Sequence, residues 1–339
     1  MKQKLYNKLK FFTSKQEFST IIILLLMLVG MSLLQNGFFT RRVIVSNINA
    51  FLPLILLSMG QAIVIVSGGL DMSCGNAMAL MLCAMTKIMK ADSPYTGVIA
   101  ILVCILLSLA VGLANGFLVG YLRLPAIIAT YATSYIWLGL ALFITPTPGG
   151  EIVNWFKIFY DFSAVKGCAQ WIKTIGSVLA PSVIMILLAC TIWFFIGKKK
   201  LGRYIYAVGS HDDNAYYSGI STTKVHIKAY VINSLFIMMA ALYFAGQNGA
   251  GSANIGETLT LQTVAAAVVG GVALSGGKGN VFMAIVGAII MSLVSKIIYY
   301  INVPSAWQSF VSGVIIIIAI SASAIYSYAE KRNLLREVN

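Results

Sequence analysis

The chain has 339 residues, of which 59% are hydrophobic and 10% charged. Soluble domains carry roughly 25% charged residues, so a water-soluble fold is excluded, and the apolar runs recurring from Phe18 to Tyr328 approach the ~20 residues that cross a bilayer. The formal net charge of +14 is not gathered into one patch with interleaved aromatics, as nucleic-acid binding requires; the basic residues stand at the ends of apolar runs, where they set topology.

Lys2, Lys4, Lys8, Lys10 and Lys15 make residues 1–17 a basic tail ahead of an apolar run centred on Ile21 to Met27. That run ends in Gln35-Asn36-Gly37 without a small-residue cleavage site, so it reads as a retained first span rather than a secretory signal. Ten spans are expected: Phe18 to Phe39, Val43 to Val66, Met72 to Met89, Gly97 to Tyr121, Leu124 to Thr145, Val178 to Ile196, Ala229 to Asn248, Leu259 to Leu274, Val281 to Ile301 and Ala306 to Tyr328. The expected fold class is therefore all-α and polytopic, with some helices broken or re-entrant and one transmembrane domain over residues 18–328.

A cytoplasmic N-terminus puts sixteen Lys or Arg inside and seven outside, with Lys296 within a span. Arg41 and Arg42 run against the bias, but the N-terminal lysines and Lys198-Lys199-Lys200 outweigh them. Both termini are expected in the cytoplasm, with residues 329–339 as a C-terminal tail. Cys74, Cys83, Cys104 and Cys190 lie in apolar stretches and Cys168 in a polar loop, a pattern that is neither a disulfide framework nor a metal-ligand spacing.

Glycine interrupts two apolar segments, from Ser67 to Gly75 and from Val269 to Gly279. Irregular backbone at membrane depth must line a cavity or be buried in protein, so one such segment in each half points to a transport pathway; the bland reading is a pair of ordinary loops between short helices. Ser108, Gly112, Gly116 and Gly120 recur every four residues and form a helix-packing stripe, which carries Asn115 toward the bundle interior. There its amide has two roles open to it, bonding a hydroxylated solute or another helix.

The longest cytoplasmic segment covers residues 197–228. Ser210-His211-Asp212-Asp213 fits the S-x-x-D capping box and Gly219 the left-handed residue that ends a helix, predicting a short helix from His211 to Ser218 that includes Asn214, Ala215, Tyr216 and Tyr217. Such a helix, flanked by basic clusters, suits a groove on a soluble partner; the alternative is a solvated loop. His211 and His226 have no convergent ligands, so no metal site is expected, and Asp212 and Asp213 point apart and make a poor catalytic pair.

Several blocks in order resemble the ribose/galactose-type permeases of bacterial ATP-binding-cassette importers, over about Phe38 to Tyr326. Ile63 to Gly75 is similar to that family's G-G-I-D-L-S-V-G segment, Leu113 to Val119 to its L-N-G helix and Leu124 to Thr133 to its P-F-I-x-T-L-G-T block. Ala265 to Asn280 resembles its glycine-rich block, and Gly209 to Ile220 its cytoplasmic coupling loop. Departures occur at Cys74, Asn76 and Ala126, and at His211, Asp212, Asn214, Tyr216 and Tyr217 in the coupling loop.

The resemblance implies a permease in a bacterial plasma membrane that moves a small sugar or sugar-like solute inward. It also implies a second permease chain, identical or paralogous, two ATPase subunits that use ATP and magnesium, and an extracytoplasmic solute-binding protein. This chain binds no cofactor in that reading and is not an enzyme. Gly277-Lys278 lies in no P-loop, because Val272 and Gly279 stand where G-x-x-x-x-G-K-[ST] needs Gly and Ser or Thr.

Sugars are recognised by amides, hydroxyls and aromatic faces, which makes Gln61, Asn115, Gln262 and Trp307 candidates for the solute pathway, with binding-protein contacts around Trp155 to Trp171 and Gly249 to Glu257. Asp71 is either a pathway carboxylate or a structural cap beside Ser73. The rival function is an ion-coupled secondary transporter of a small polar solute, for which Asp71 and Lys296 are the intramembrane candidates; Lys296 is expected to snorkel outward.

Overall fold

The computed structural model describes residues 15–160 and 181–302, with isolated positions from 304 to 317. The basic tail, the segment around Trp171, most of the expected tenth span and the C-terminal tail lie outside the described residues. Among those described, eleven α-helices account for the regular structure: α1 (Lys15–Leu34), α2 (Arg41–Val66), α3 (Cys74–Ile88), α4 (Tyr95–Gly116), α5 (Ala126–Ile144), α6 (Pro181–Lys198), α7 (Lys200–Ser210), α8 (Asp212–Tyr217), α9 (Thr222–Asn248), α10 (Gly256–Val269) and α11 (Met283–Tyr300). The last turn of α4 widens into a π-helical turn at Phe117–Tyr121. Helices α2, α4 with that turn, α5, α6, α9 and α11 are long and apolar enough to cross a membrane, so the chain is a polytopic membrane protein.

Helices α2 and α9 form the centre of the bundle and are buried along most of their length. Helices α4, α5 and α6 surround them and turn side chains such as Leu106, Phe143 and Phe195 outward, the arrangement a hydrocarbon solvent favours. The small-residue stripe on α4 faces α9: a Cβ on Gly116 would sit 2.8 Å from the Ile227 Cα, and one on Gly112 2.7 Å from the Val231 Cα. Ser108 donates to Ser234 across the same seam at 3.4 Å. Backbone approach of this kind is how apolar helices associate where burial from lipid supplies no driving force.

Two expected spans are shorter than a bilayer. Helix α3 has 15 residues and α10 has 14, about 22 Å and 21 Å at 1.5 Å per residue against the ~30 Å hydrocarbon core. They follow and precede the two glycine-rich segments, and they cross each other at Gly75 and Gly256, where a Cβ on Gly75 would lie 1.9 Å from the Gly256 carbonyl oxygen. The chain reaches α10 from the Gly149–Gly251 bridge beside Cys83 and Thr86, near the C-terminal end of α3. Gly256 packs instead against the first turn of α3, so α10 begins inside the bundle rather than at its rim.

The expected capping box is not formed. Ser210 ends α7 and its hydroxyl donates to the Tyr206 carbonyl at 2.9 Å, while His211 occupies the N-cap of α8 without a side-chain cap bond. The predicted loop before the seventh span is itself helical, because α7 buries Gly202, Ile205 and Val208 against the bundle, and α9 begins seven residues before Ala229. Gly219 does end the short helix with φ +80°. Lys296 does not reach outward: its ammonium bonds the Asn47 amide oxygen on α2 and lies 5.7 Å from the Phe51 ring centroid.

Gly116→Leu is expected to destabilise the purified chain by at least about 1–3 kcal/mol, as overpacked cores do, and to lower its thermal unfolding midpoint in detergent. Gly139→Leu is the control, since a Cβ at Gly139 meets nothing within 4 Å; its midpoint should match the unmodified chain.

Candidate functional site

Asp71 lies in the connector between α2 and α3 and is 1% exposed. Its Oδ1 accepts from the Ser73 N–H at 2.8 Å, the Ser73 hydroxyl at 2.6 Å and the Asn115 amide at 3.4 Å, and its Oδ2 accepts from the Asn233 amide at 2.7 Å. Gln61 closes the other side: its amide donates to the Asp71 carbonyl and accepts from the Asp71 N–H, 3.2 Å each. Thr133 donates to the Asn115 oxygen at 2.7 Å, while Tyr230 and Thr130 donate to the Leu70 carbonyl at 3.0 and 3.1 Å.

This network joins α2, α4, α5 and α9 to the connector. Three of the residues singled out from the sequence, Gln61, Asp71 and Asn115, are thus brought together, all of them buried and bonded to protein. Gln262 and Trp307 stand apart. Gln262 is half-buried on α10, and Trp307 is exposed with its ring 5.7 Å from that of Phe310.

Beside the network a cleft of about 140 Å³ opens between α3, α5 and α10, with Leu138, Leu261 and Met72, the neighbour of Asp71, as the apolar part of its wall. Asn76, Ser134, Tyr131, Tyr135, Glu257 and Thr260 supply its polar groups. Asn76 donates to the Ser134 hydroxyl at 2.8 Å, yet its own Oδ1 is buried and has no hydrogen-bond partner among the described residues. Tyr131 and Tyr135, one helical turn apart, share a hydrogen bond of 2.8 Å and are about half exposed.

Glu257 opens the first turn of α10 and is exposed. Its cleft partner Tyr135 stands nine residues from the end of α5 at Ile144, about 14 Å into the helix. A carboxylate and two phenols at that depth cannot face lipid tails without a large penalty, so this face of the molecule adjoins water or protein. Sequence reasoning missed the cleft because its residues come from three helices, and a tyrosine in an apolar helix reads equally well as an interfacial anchor. The one available signal was the i, i+4 spacing of Tyr131 and Tyr135.

At the opposite end of α5 the short helix α8 is fastened from two sides. The Asp212 carboxylate pairs with the Arg123 guanidinium and lies 3.4 Å from the His226 Nε2, and Arg123 also donates to the Thr222 hydroxyl at 2.7 Å. Immediately before α8, Gly209 is wedged between the two glycine-rich segments. A Cβ there would meet the Val66 carbonyl oxygen at 1.8 Å and the Gly277 nitrogen at 2.8 Å, and the Gly277 N–H donates to that same Val66 carbonyl at 2.9 Å.

Residues 43–320 match a family described as the branched-chain amino acid transport system / permease component. The chain belongs to this family. It is a multi-pass membrane permease component, and it is similar over 97% of its length to curated relatives. The autoinducer 2 import system permease protein LsrC of Yersinia pseudotuberculosis serotype IB (strain PB1/+) is 26% identical over 334 residues, 90% of that protein. LsrC of Yersinia pestis (strain Pestoides F) is 26% identical over 335 residues, again 90% of that protein. No solved structure matches the permease.

Replacing the Asp71 carboxylate by an amide turns one acceptor into a donor facing other donors. Asp71→Asn should therefore cost the permease roughly 1.5–3 kcal/mol, with thermal stability and transport falling together. Transport abolished at unchanged thermal stability would move Asp71 from scaffold to pathway.

Proposed function

We propose that this permease is the membrane subunit of an ATP-binding-cassette importer that carries a small, uncharged, hydroxyl-rich solute of the sugar class into the cytoplasm. The observation that carries the solute class is the cleft: phenol, hydroxyl and amide groups surround a single charged side chain, Glu257. The family's description names branched-chain amino acids; Glu257 suits an amino acid's ammonium, but the cleft wall holds no cation for its carboxylate. A sugar's hydroxyls suit the same groups, since the phenols, hydroxyls and amide can donate or accept and the carboxylate accepts.

In this reading solute enters from a binding protein on the outer face, meets the cleft at mid-depth and passes between this chain and a second permease, identical or paralogous. Gln61, Asp71 and Asn115 act behind the cleft as positioning residues, holding α3 and α5 in register. Separate ATPase subunits, with their ATP and magnesium, act on the segment from Ser210 to Gly219. The Asp212 pairings and the Gly209 wedge support that role: the first join α8 to α9 and to the α4–α5 turn, and the second sets the end of α7, just ahead of α8, against both glycine-rich segments. The ion-coupled alternative gains no support from Asp71, whose oxygens are occupied by four protein donors.

Reconstituted with its partner subunits, the permease should take up a labelled sugar or autoinducer 2 in competition with other sugars but not with leucine. Glu257→Gln and Tyr135→Phe should each reduce uptake about tenfold or more, the order expected when a buried polar contact to solute is lost, with thermal stability unchanged. Competition by leucine alone would overturn the solute class. Uptake that survived ATP depletion and collapsed with an uncoupler would overturn the importer.

Arg123→Ala frees one side of α8. ATPase activity in the assembled complex should persist while solute moved per ATP falls several-fold; an unchanged ratio of uptake to hydrolysis would remove α8 from the coupling path.

A further inference from the structure

A cleft of about 680 Å³ lies between α7 and the first turns of α9. Lys199, Lys200, Arg203, Lys224 and Lys228 line it together with Tyr204. None of these five cations is within 4.0 Å of a carboxylate among the described residues; the ion pairs present are those of Asp212 with Arg123 and His226. Five like charges around one concavity repel one another in the empty cleft, and an anion seated there removes that repulsion.

The position of the cleft selects the anion. Helix α6 ends directly above α7, and its outward face carries Leu187, Leu188, Phe194 and Phe195, all exposed. Lys198, the last residue of α6, lies 3.8 Å from the Phe194 ring centroid, the posture of a lysine folded back at the edge of the apolar zone. Helix α7 follows after one residue and is amphipathic: Ile205 and Val208 are buried in the bundle, while Arg203 and Tyr204 face out. Because α7 starts one residue after the apolar span α6 ends, it begins where that span leaves the hydrocarbon. The cleft therefore opens at the headgroup level on the basic end of the molecule, which the positive-inside rule turns toward the cytoplasm. Leu201 and Val225 in its wall provide apolar contact for the glycerol and first acyl carbons. No residue of α8 lines the cleft, so a partner engaging α8 has no need of it.

We propose that this cleft binds the phosphodiester headgroup of an anionic inner-leaflet lipid, the phosphate held by lysine and arginine from α7 and α9 together. Lipid would thereby bridge the interfacial helix α7 to the central span α9, two elements that flank α8. This inference is independent of the transported solute and of the cleft around Glu257.

The test uses the full chain purified in mild detergent, with dioleoylphosphatidylglycerol as probe and dioleoylphosphatidylcholine, inorganic phosphate and glycerol phosphate as comparisons. Native mass spectrometry and the thermal unfolding midpoint provide two readouts. The unmodified permease should retain phosphatidylglycerol over phosphatidylcholine and be stabilised by it alone. Lys224→Gln/Lys228→Gln, confined to one wall, should weaken retention about thirtyfold, each basic residue near an anionic surface contributing about fivefold. Lys199→Gln/Lys200→Gln/Arg203→Gln should weaken it further, and Lys87→Gln/Lys90→Gln at the opposite end should not. Equal retention by the cleft variants and the unmodified chain would overturn the proposal. So would equal stabilisation by inorganic phosphate or glycerol phosphate, which would make this a soluble-anion site, and so would displacement of phosphatidylglycerol by a co-purified soluble subunit.

Discussion

Hydrocarbon cannot solvate a peptide group, so a helix interrupted inside a bilayer must find partners for the freed N–H and C=O groups within the protein. The permease contains two such interruptions, ahead of α3 and at the start of α10, and much of its polar chemistry is devoted to them. Gln61 pairs with both backbone groups of Asp71, Thr130 and Tyr230 occupy the Leu70 carbonyl, and the Thr260 hydroxyl accepts the Gly75 N–H at 3.1 Å. The Asp71 carboxylate itself acts as a multiple acceptor that ties α4 and α9 to the first interruption. The polar residues buried in the bundle are therefore explained first by backbone and carboxylate satisfaction.

That accounting separates residues that hold the site from residues that can meet a solute. The amide groups of Gln61 and Asn115 are bonded at both ends and Asn233 is bonded through its nitrogen, whereas the cleft on the far side of the α3–α5 pair exposes phenols and a carboxylate. The crossing of Gly75 and Gly256 brings the two half-length helices close enough for both to contribute to that cleft, Asn76 from one and Glu257 and Thr260 from the other. Breaking the helices thus creates the demand for internal hydrogen bonds and also places a polar helix start at mid-depth.

Much of the architecture was legible in the residues. Hydropathy located the long spans, the four-residue glycine spacing on α4 marked a packing seam whose partner only the fold shows to be α9, and that spacing turned Asn115 inward as expected. The glycine-rich segment from Ser67 to Gly75 marked the interruption ahead of α3, whereas the one from Val269 to Gly279 follows α10 and left its start inside the bundle unmarked. The partners of Asp71 were not legible, since Asn233 lies 162 residues away and only the fold brings it near. The capping pattern at Ser210 misled because amphipathic α7 extends through that serine, so its hydroxyl turns back to a carbonyl of its own helix. Asp212 looked idle in isolation, and its partners Arg123 and His226 come from separate elements.

Gly209 touches Val66 and Gly277 through main chain alone. Side-chain packing absorbs small displacements by rotamer change, but atoms of the polypeptide backbone in direct contact have no such slack. A displacement of the end of α7 toward the bundle would therefore press on main chain of both glycine-rich segments, with no side chain between to take it up.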